Sequence, residues 1–271
     1  MGKITLKLVL ELLFIFIGSS VAFNYSKVMG NIFIIGYFAS KLFVKRYLIY
    51  TMIANKYFKK DNLNKTISYY DKAIKIKSCK ARVIINYAYI LLRDSNVDKA
   101  NKVISLIDER KLPLELNDEM NYKMVTSLIE WKNGNLDKCI NILKSTYEKY
   151  KNTTLYESLG YLLVVSGDYE DALNFNLEAI KYDENNSVIM DNLGETYYYL
   201  GEYDKALDIY TRLCVKDVTF PEAYYYYGLV LKNTGDSEKA LEMFKKSLTL
   251  KESFLSNFKK ESIEKEIELL K

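Results

Sequence analysis

The chain has 271 residues, 49% of them hydrophobic and 14% aromatic, with only 11 glycines and 2 prolines as interruptions; this is a helical composition, long enough for a sizeable core. Histidine is absent, which excludes every mechanism that needs an imidazole base, shuttle or metal ligand. The net charge of +4 is concentrated at the start, where residues 1–50 hold Lys3, Lys7, Lys27, Lys41, Lys45 and Arg46 against Glu11 alone, so the remainder has no basic excess for phosphates and nucleic acid is not expected as a partner.

Two apolar runs come first, Ile4 to Phe23 and Val28 to Val44, separated by the polar turn Asn24-Tyr25-Ser26-Lys27. Each approaches the roughly 20 residues that cross a bilayer. Residues 1–46 therefore read as a hydrophobic helical hairpin, two transmembrane helices that reach the lipid bilayer through the N-terminus. Lys7 and Glu11 lie four apart and can pair on one helix face, and Lys41 can extend to the interface. The positive flanks place both ends, and all that follows, in the cytoplasm. A signal peptide is the rival reading, because Ser20-Val21-Ala22 has the small-x-small form of a cleavage site; Glu11 inside the run argues against it. A third reading makes both runs core helices of the repeat array that follows. Myristoylation fails, because Leu6 stands where Ser or Thr is wanted.

No glycine or proline occurs between Gly36 and Lys60, so the second apolar helix can run straight into the next one; a kink near Lys45-Arg46 is equally allowed. From there the chain repeats. Gly160, Gly194 and Gly228 stand 34 residues apart, and Ala172, Ala206 and Ala240 follow each by twelve. Between them lie Gly167-Asp168-Tyr169, Gly201-Glu202-Tyr203 and Gly235-Asp236-Ser237. A fixed 34-residue period marks an array of helix–turn–helix units. The small residues belong where the paired helices touch. Gly167, Gly201 and Gly235 suit a helix end that takes positive φ, and Asp168 and Asp236 suit the cap of the next helix. Backwards, Thr66, Ala100 and Cys139 take the alanine place, giving steps of 34, 39, 33, 34 and 34 residues. The 39-residue step holds Lys111-Leu112-Pro113-Leu114, where proline is expected to end a helix.

Leu159-Gly160, Leu193-Gly194 and Tyr227-Gly228, each followed by its alanine and then by Asn176, Tyr210 or Phe244, resemble the tetratricopeptide repeat. The resemblance covers residues 47–254 as about six repeats, near 47–80, 81–115, 120–152, 153–186, 187–220 and 221–254, strongest over 153–254. It implies an all-α fold, a right-handed superhelical solenoid of helix–turn–helix repeats. Ala54, Ala88 and Ser127 replace the glycine in the first three, and the family's tryptophan is missing, with Tyr50, Tyr156 and Tyr224 in its place. Residues 255–271 read as a capping helix, with Phe258, Ile263, Ile267 and Leu270 along one face and a polar outer side.

The resemblance also implies a partner-binding groove lined by Glu157, Tyr161, Val164, Asp191, Glu195, Tyr198, Tyr199, Glu222, Tyr225, Leu229 and Lys232. Carboxylates alternating with tyrosines favour a protein or peptide with a basic or apolar segment. The subtype that clamps acidic C-terminal peptides is excluded: Asn55 and Asn86 fit it, but Thr51, Asn121 and Val125 stand where its cations belong. Asp191 and Glu195, one turn apart, are the best acid–base pair on offer, and a solvated helix face explains them as well. No phosphate loop, nucleophile elbow or zinc cluster is present, and no cofactor or catalysis is expected. Cys79, Cys139 and Cys214 form no CxxC and read as reduced core residues. Asn24, Asn64, Asn152 and Asn185 open Asn-x-Ser/Thr triplets, which a cytoplasmic chain leaves unused. The functional expectation is a membrane-anchored, cytoplasm-facing scaffold or adaptor. A regulatory subunit of a membrane enzyme or transporter, and a soluble peptide-sensing regulator, are the alternatives; oligomeric state stays open.

Overall fold

The computed structural model describes residues 2–252, 256 and 259–270; Phe258 and the side chains of residues 2–5 and 7 lie outside that description. Two compact units divide the chain, Met1–Tyr87 and Ala88–Lys271.

In the first unit, α1 (Gly2–Tyr25) and α2 (Lys27–Val44) pack as an antiparallel hairpin. Ser26 takes extended backbone between them, and its Oγ accepts from the Met29 N–H at 3.1 Å, capping α2. Glycines let the two helices close on each other: a Cβ at Gly18 would lie 2.3 Å from the Phe33 ring, and one at Gly30 would lie 2.3 Å from the Phe23 ring. Glu11 is paired across the hairpin, with Lys41 as its ion-pair partner and the Tyr37 hydroxyl donating to it at 2.8 Å. The Lys7 side chain of the expected Lys7–Glu11 pair lies outside the description; the described Glu11 contact crosses the hairpin and ties its two helices together. Windows Leu8–Tyr25 and Lys27–Val44 have mean hydropathies of 1.8 and 1.3, and 0% and 6% of their residues are buried. These helices are long and apolar enough to cross a membrane, and they are not core helices of the described fold.

The second apolar helix does not run unbroken into the next. Lys45, with φ −92° and ψ 10°, separates α2 from α3 (Arg46–Phe58). The Ser78 hydroxyl donates to the Val44 carbonyl that the break leaves open. Helix α3 packs on α4 (Leu63–Ile74), with Ala54 and Tyr70 both buried and the Tyr70 hydroxyl donating to Asn55 Oδ1 at 2.6 Å.

Next in the chain come α5 (Ala81–Arg93) and α6 (Val97–Ile104). A short α7 (Leu106–Glu109) follows a break at Ser105. It ends four residues before Pro113, because Lys111 turns to φ +49°; the left-handed residue, not the proline, stops the helix. Beyond it come α8 (Leu116–Lys132) with α9 (Leu136–Tyr147), α10 (Thr153–Ser166) with α11 (Tyr169–Tyr182), α12 (Ser187–Tyr199) with α13 (Tyr203–Val215), and α14 (Pro221–Thr234) with α15 (Ser237–Leu248). The last three pairs also pack on one another: α10 on α12, α12 on α14, α11 on α12 and α13 on α14. A closing helix, α16 (Lys260–Leu269), packs on α15 and buries Ile263 and Ile267, with Leu270 partly covered.

Two local devices repeat. Asp61, Ser95, Gly134, Gly167, Gly201 and Gly235 all have positive φ, between 55° and 94°, and each ends a first helix. Four are followed by a cap: Asn62, Asn96, Asp168 and Asp236 accept from the N–H three residues on. The second device is the close approach of paired helices. A Cβ on Gly160 would lie 2.2 Å from Asn176 Oδ1, on Gly194 2.9 Å from the Tyr210 ring, and on Gly228 2.5 Å from the Phe244 ring. All three partners are buried, so the residue sixteen positions later fills the space that the missing side chain leaves.

Candidate functional site

The eleven expected groove residues lie on α10, α12 and α14, three first helices set side by side. The helices present them differently. Val164, Asp191, Glu195, Glu222 and Leu229 are buried, whereas Glu157, Tyr161, Tyr198, Tyr225 and Lys232 are half-buried and Tyr199 is exposed. The open part of the lining is therefore mostly tyrosine, with one carboxylate and one ammonium at its margins. Glu157 is held by Asn186, whose Nδ2 donates to Glu157 Oε1 at 2.8 Å.

Asp191 and Glu195 do not form a solvated face. They are 6% and 4% exposed, because α10, α11, α13 and α14 all pack around α12. Tyr210 stands beside Asp191, and its hydroxyl reaches the Asp191 carbonyl at 3.5 Å. Tyr226 stands beside Glu195. Asp191 Oδ1 and Glu195 Oε2 have no hydrogen-bond partner among the described residues. Burial raises the Asp191 carboxyl well above its ordinary range, and the nearby Glu195 and Glu222 push the same way. Burial pushes Glu195 up to about 7, with the Tyr226 hydroxyl opposing the rise. Glu222 is raised by burial too, with Ser256 beside it. These are carboxyl groups held towards their neutral form, which donates a hydrogen bond and does not attract a cation. Among the described residues no three His, Cys, Asp or Glu side chains converge on a metal position.

The surface itself is an aromatic cluster. Tyr199 stacks on Tyr169 with ring centroids 4.7 Å apart and planes 5° from parallel. The Tyr199 and Tyr226 hydroxyls are 3.0 Å apart, Tyr198 meets Tyr226 edge-on at 5.7 Å, and Tyr225 meets Tyr226 at 5.3 Å. Tyr169 and Tyr226 were not among the expected lining residues. The run Tyr224-Tyr225-Tyr226-Tyr227 and the recurrence of Tyr169 at Tyr203 were the signals for them. At the far margin Lys232 pairs with Glu266 of α16 at 2.6 Å.

The tetratricopeptide repeat profile matches residues 47–78, 189–222 and 221–254. The chain carries tetratricopeptide repeats. A TPR repeat-containing protein of Methanocaldococcus jannaschii is 28% identical over 229 residues, covering 78% of this chain and 39% of its own length. The chain spans between 3% and 61% of the length of the curated relatives it matches. Among solved structures, a chain of the APC/C hetero-tetramer Cut9–Hcn1 superposes with a TM-score of 0.67 at 15% identity, over 83% of this chain and 42% of that one. A tetratricopeptide repeat protein from Parabacteroides merdae superposes with a TM-score of 0.52 at 12% identity, over 83% of this chain and 98% of that one. Both likenesses are of fold. Tetratricopeptide repeats are protein-interaction scaffolds, and three windows of this chain match the repeat profile.

Proposed function

We propose that the chain is a membrane-anchored, cytoplasm-facing scaffold that binds a protein or peptide on the face of α10, α12 and α14, without catalysis of its own. The observation that carries the binding reading is the half-open tyrosine cluster of Tyr169, Tyr198, Tyr199 and Tyr225. Tyrosine offers a large contact surface at low entropy cost, with a hydroxyl to orient the ligand. Because Asp191, Glu195 and Glu222 are buried, the ligand preference shifts from strongly basic towards apolar and aromatic, with Glu157 as the accessible carboxylate. The anchor reading is supported by two long apolar helices whose surfaces stay uncovered and by positive flanks at Lys41, Lys45 and Arg46. On this reading residues 1–46 are the anchor, 47–254 the repeat array and 255–271 the closing segment. A regulatory subunit of a membrane enzyme or transporter is the second reading, favoured by the Glu11–Tyr37–Lys41 polar trio within the hairpin.

The binding face is tested by crosslinking and affinity capture from native membranes, with Glu157→Lys and Tyr199→Ala as the variants. Lysine at Asp191 or Glu195 would be unsuitable, since a cation there is buried. Both chosen positions reach solvent, so helicity and melting should hold while partner capture falls at least tenfold. Capture at the level of the unaltered chain would remove this face as the binding surface.

A further inference from the structure

Helix α16 touches the same face that the proposed ligand would use. Its Glu266 forms the 2.6 Å pair with Lys232 and also lies close to Tyr198 and Tyr225. Its Ile263 and Ile267 belong to one apolar cluster with Leu229, against which Tyr198 and Tyr225 pack. Four of the expected lining residues, on α12 and α14, are thus in the surroundings of a segment that follows them in the chain.

The attachment is narrow. Ile263 is 1% exposed and Ile267 9% exposed, and Glu266 is partly covered, but Lys260, Glu261, Ser262, Glu264, Lys265 and Glu268 all face solvent. Lys259 begins the helix without a side-chain cap, as α13 and α14 also begin, α14 with Pro221 in its first turn; what sets α16 apart is that only Ile263 and Ile267 are buried in it. Helices with few buried residues and no cap are the first to open. The contact pattern is also a recognition pattern: an aliphatic residue, a carboxylate three positions on and a second aliphatic residue four positions on lie along one helix face.

We propose that Tyr198, Tyr225, Leu229 and Lys232 form a docking surface for an amphipathic helix with this aliphatic–carboxylate–aliphatic pattern, and that α16 is its in-chain occupant, displaced when a partner helix of the same pattern binds. The proposal rests on the reading of this face as a binding surface and adds to it both the ligand class and a built-in competitor. It reverses the charge preference at this end of the groove: Lys232 selects an acidic group, and a helix bearing lysine at the Glu266 place is repelled.

The test uses the full chain in detergent and a fluorescent peptide covering residues 259–270. Binding is read by anisotropy for the unaltered chain, for an Ile263→Asp/Glu266→Lys variant that releases α16, and for that variant carrying Lys232→Glu. The released variant should bind the peptide at least tenfold more tightly than the unaltered chain. Lys232→Glu should weaken that binding at least fivefold, and a peptide with Glu266→Lys should recover it. Equal binding by the unaltered and released chains overturns the proposal, as does indifference to the charge reversal. Should the released variant lose helicity beyond one helix, hydrogen exchange on the unaltered chain decides. Amides of α16 exchanging at least a hundredfold faster than those of α14 support displacement, and exchange at the same rate as α14 overturns it. Failure here with capture still sensitive to Glu157→Lys would leave the binding face standing and remove only its occupant.

Discussion

At Gly160, Gly194 and Gly228 a hydrogen is the whole side chain, and the neighbour sixteen residues later shows why. The void is filled by Asn176 in one repeat, by a tyrosine ring in the next and by a phenylalanine ring in the third. Rings are the less forgiving neighbours, since Phe244 is fully buried and has nowhere to swing. In Gly228→Ala the new Cβ would stand 2.5 to 2.9 Å from three atoms of that ring. Alanine gains about 1 kcal/mol over glycine in helix propensity, while overpacking a dense core costs roughly 1–3 kcal/mol. The clash should win, with a net loss of up to about 2 kcal/mol in chemical denaturation. An unchanged or raised midpoint would mean that the helices separate more freely than their packing indicates. The glycines themselves were legible in the sequence because each recurs at the repeat interval. Their partners were visible only as residues standing four places after an alanine. That Asp61 and Ser95 adopt the same left-handed turn as Gly167 was not legible, because those side chains give no period to follow; the backbone at that place demands the conformation whichever residue supplies it.

Helix α12 shows where pattern reading stops. Asp191 and Glu195 have the spacing of a solvated acidic face, and nothing in the spacing says that neighbours close over it. The neighbours do, through Tyr210 and Tyr226, which come from α13 and α14. Burial then couples folding to protons. Glu195 has an ordinary value of 4.5 and is pushed up to about 7 in the folded chain, and Asp191 is raised in the same direction. The folded chain therefore binds more protons than the unfolded one between these values. The contribution is fully present below pH 4.5 and is lost as pH rises through about 7, on the order of 3 kcal/mol for Glu195 alone. Glu130 and Glu178, lowered by bonds to Lys138 and Tyr147 respectively, act oppositely but only in more acid solution. Denaturation midpoints measured from pH 5 to pH 8 should accordingly fall with rising pH, and an Asp191→Asn/Glu195→Gln variant should flatten the slope. The same slope in both proteins would show that other groups carry it. The consequence for binding is that two of the carboxylates that made the groove look basic-seeking in the sequence are core groups, and Tyr169, Tyr198, Tyr199 and Tyr225 reach the surface instead.

At the scale of the whole molecule, the polar contact described across the hairpin of α1 and α2 supplies a handle on what surrounds it. Glu11, Tyr37 and Lys41 hold one another across α1 and α2. If the hairpin spans a bilayer, the pair reduces the cost of two charges that would each be expensive alone. Removing one partner strands the other, whereas removing both leaves two apolar helices joined by the Gly18–Phe33 and Gly30–Phe23 contacts. Glu11→Ala or Lys41→Ala alone should therefore lower the membrane-integrated fraction of the full chain, read by alkaline extraction. Glu11→Gln together with Lys41→Met should restore it or exceed it. The non-additivity is the informative part, because a hairpin resting on a protein surface in water would lose little from either change: an exposed ion pair contributes only about 0–1 kcal/mol. Full extraction of the unaltered chain at high pH, or two single variants indistinguishable from it, would move the hairpin out of the bilayer and turn its bare apolar surface into a contact for another protein.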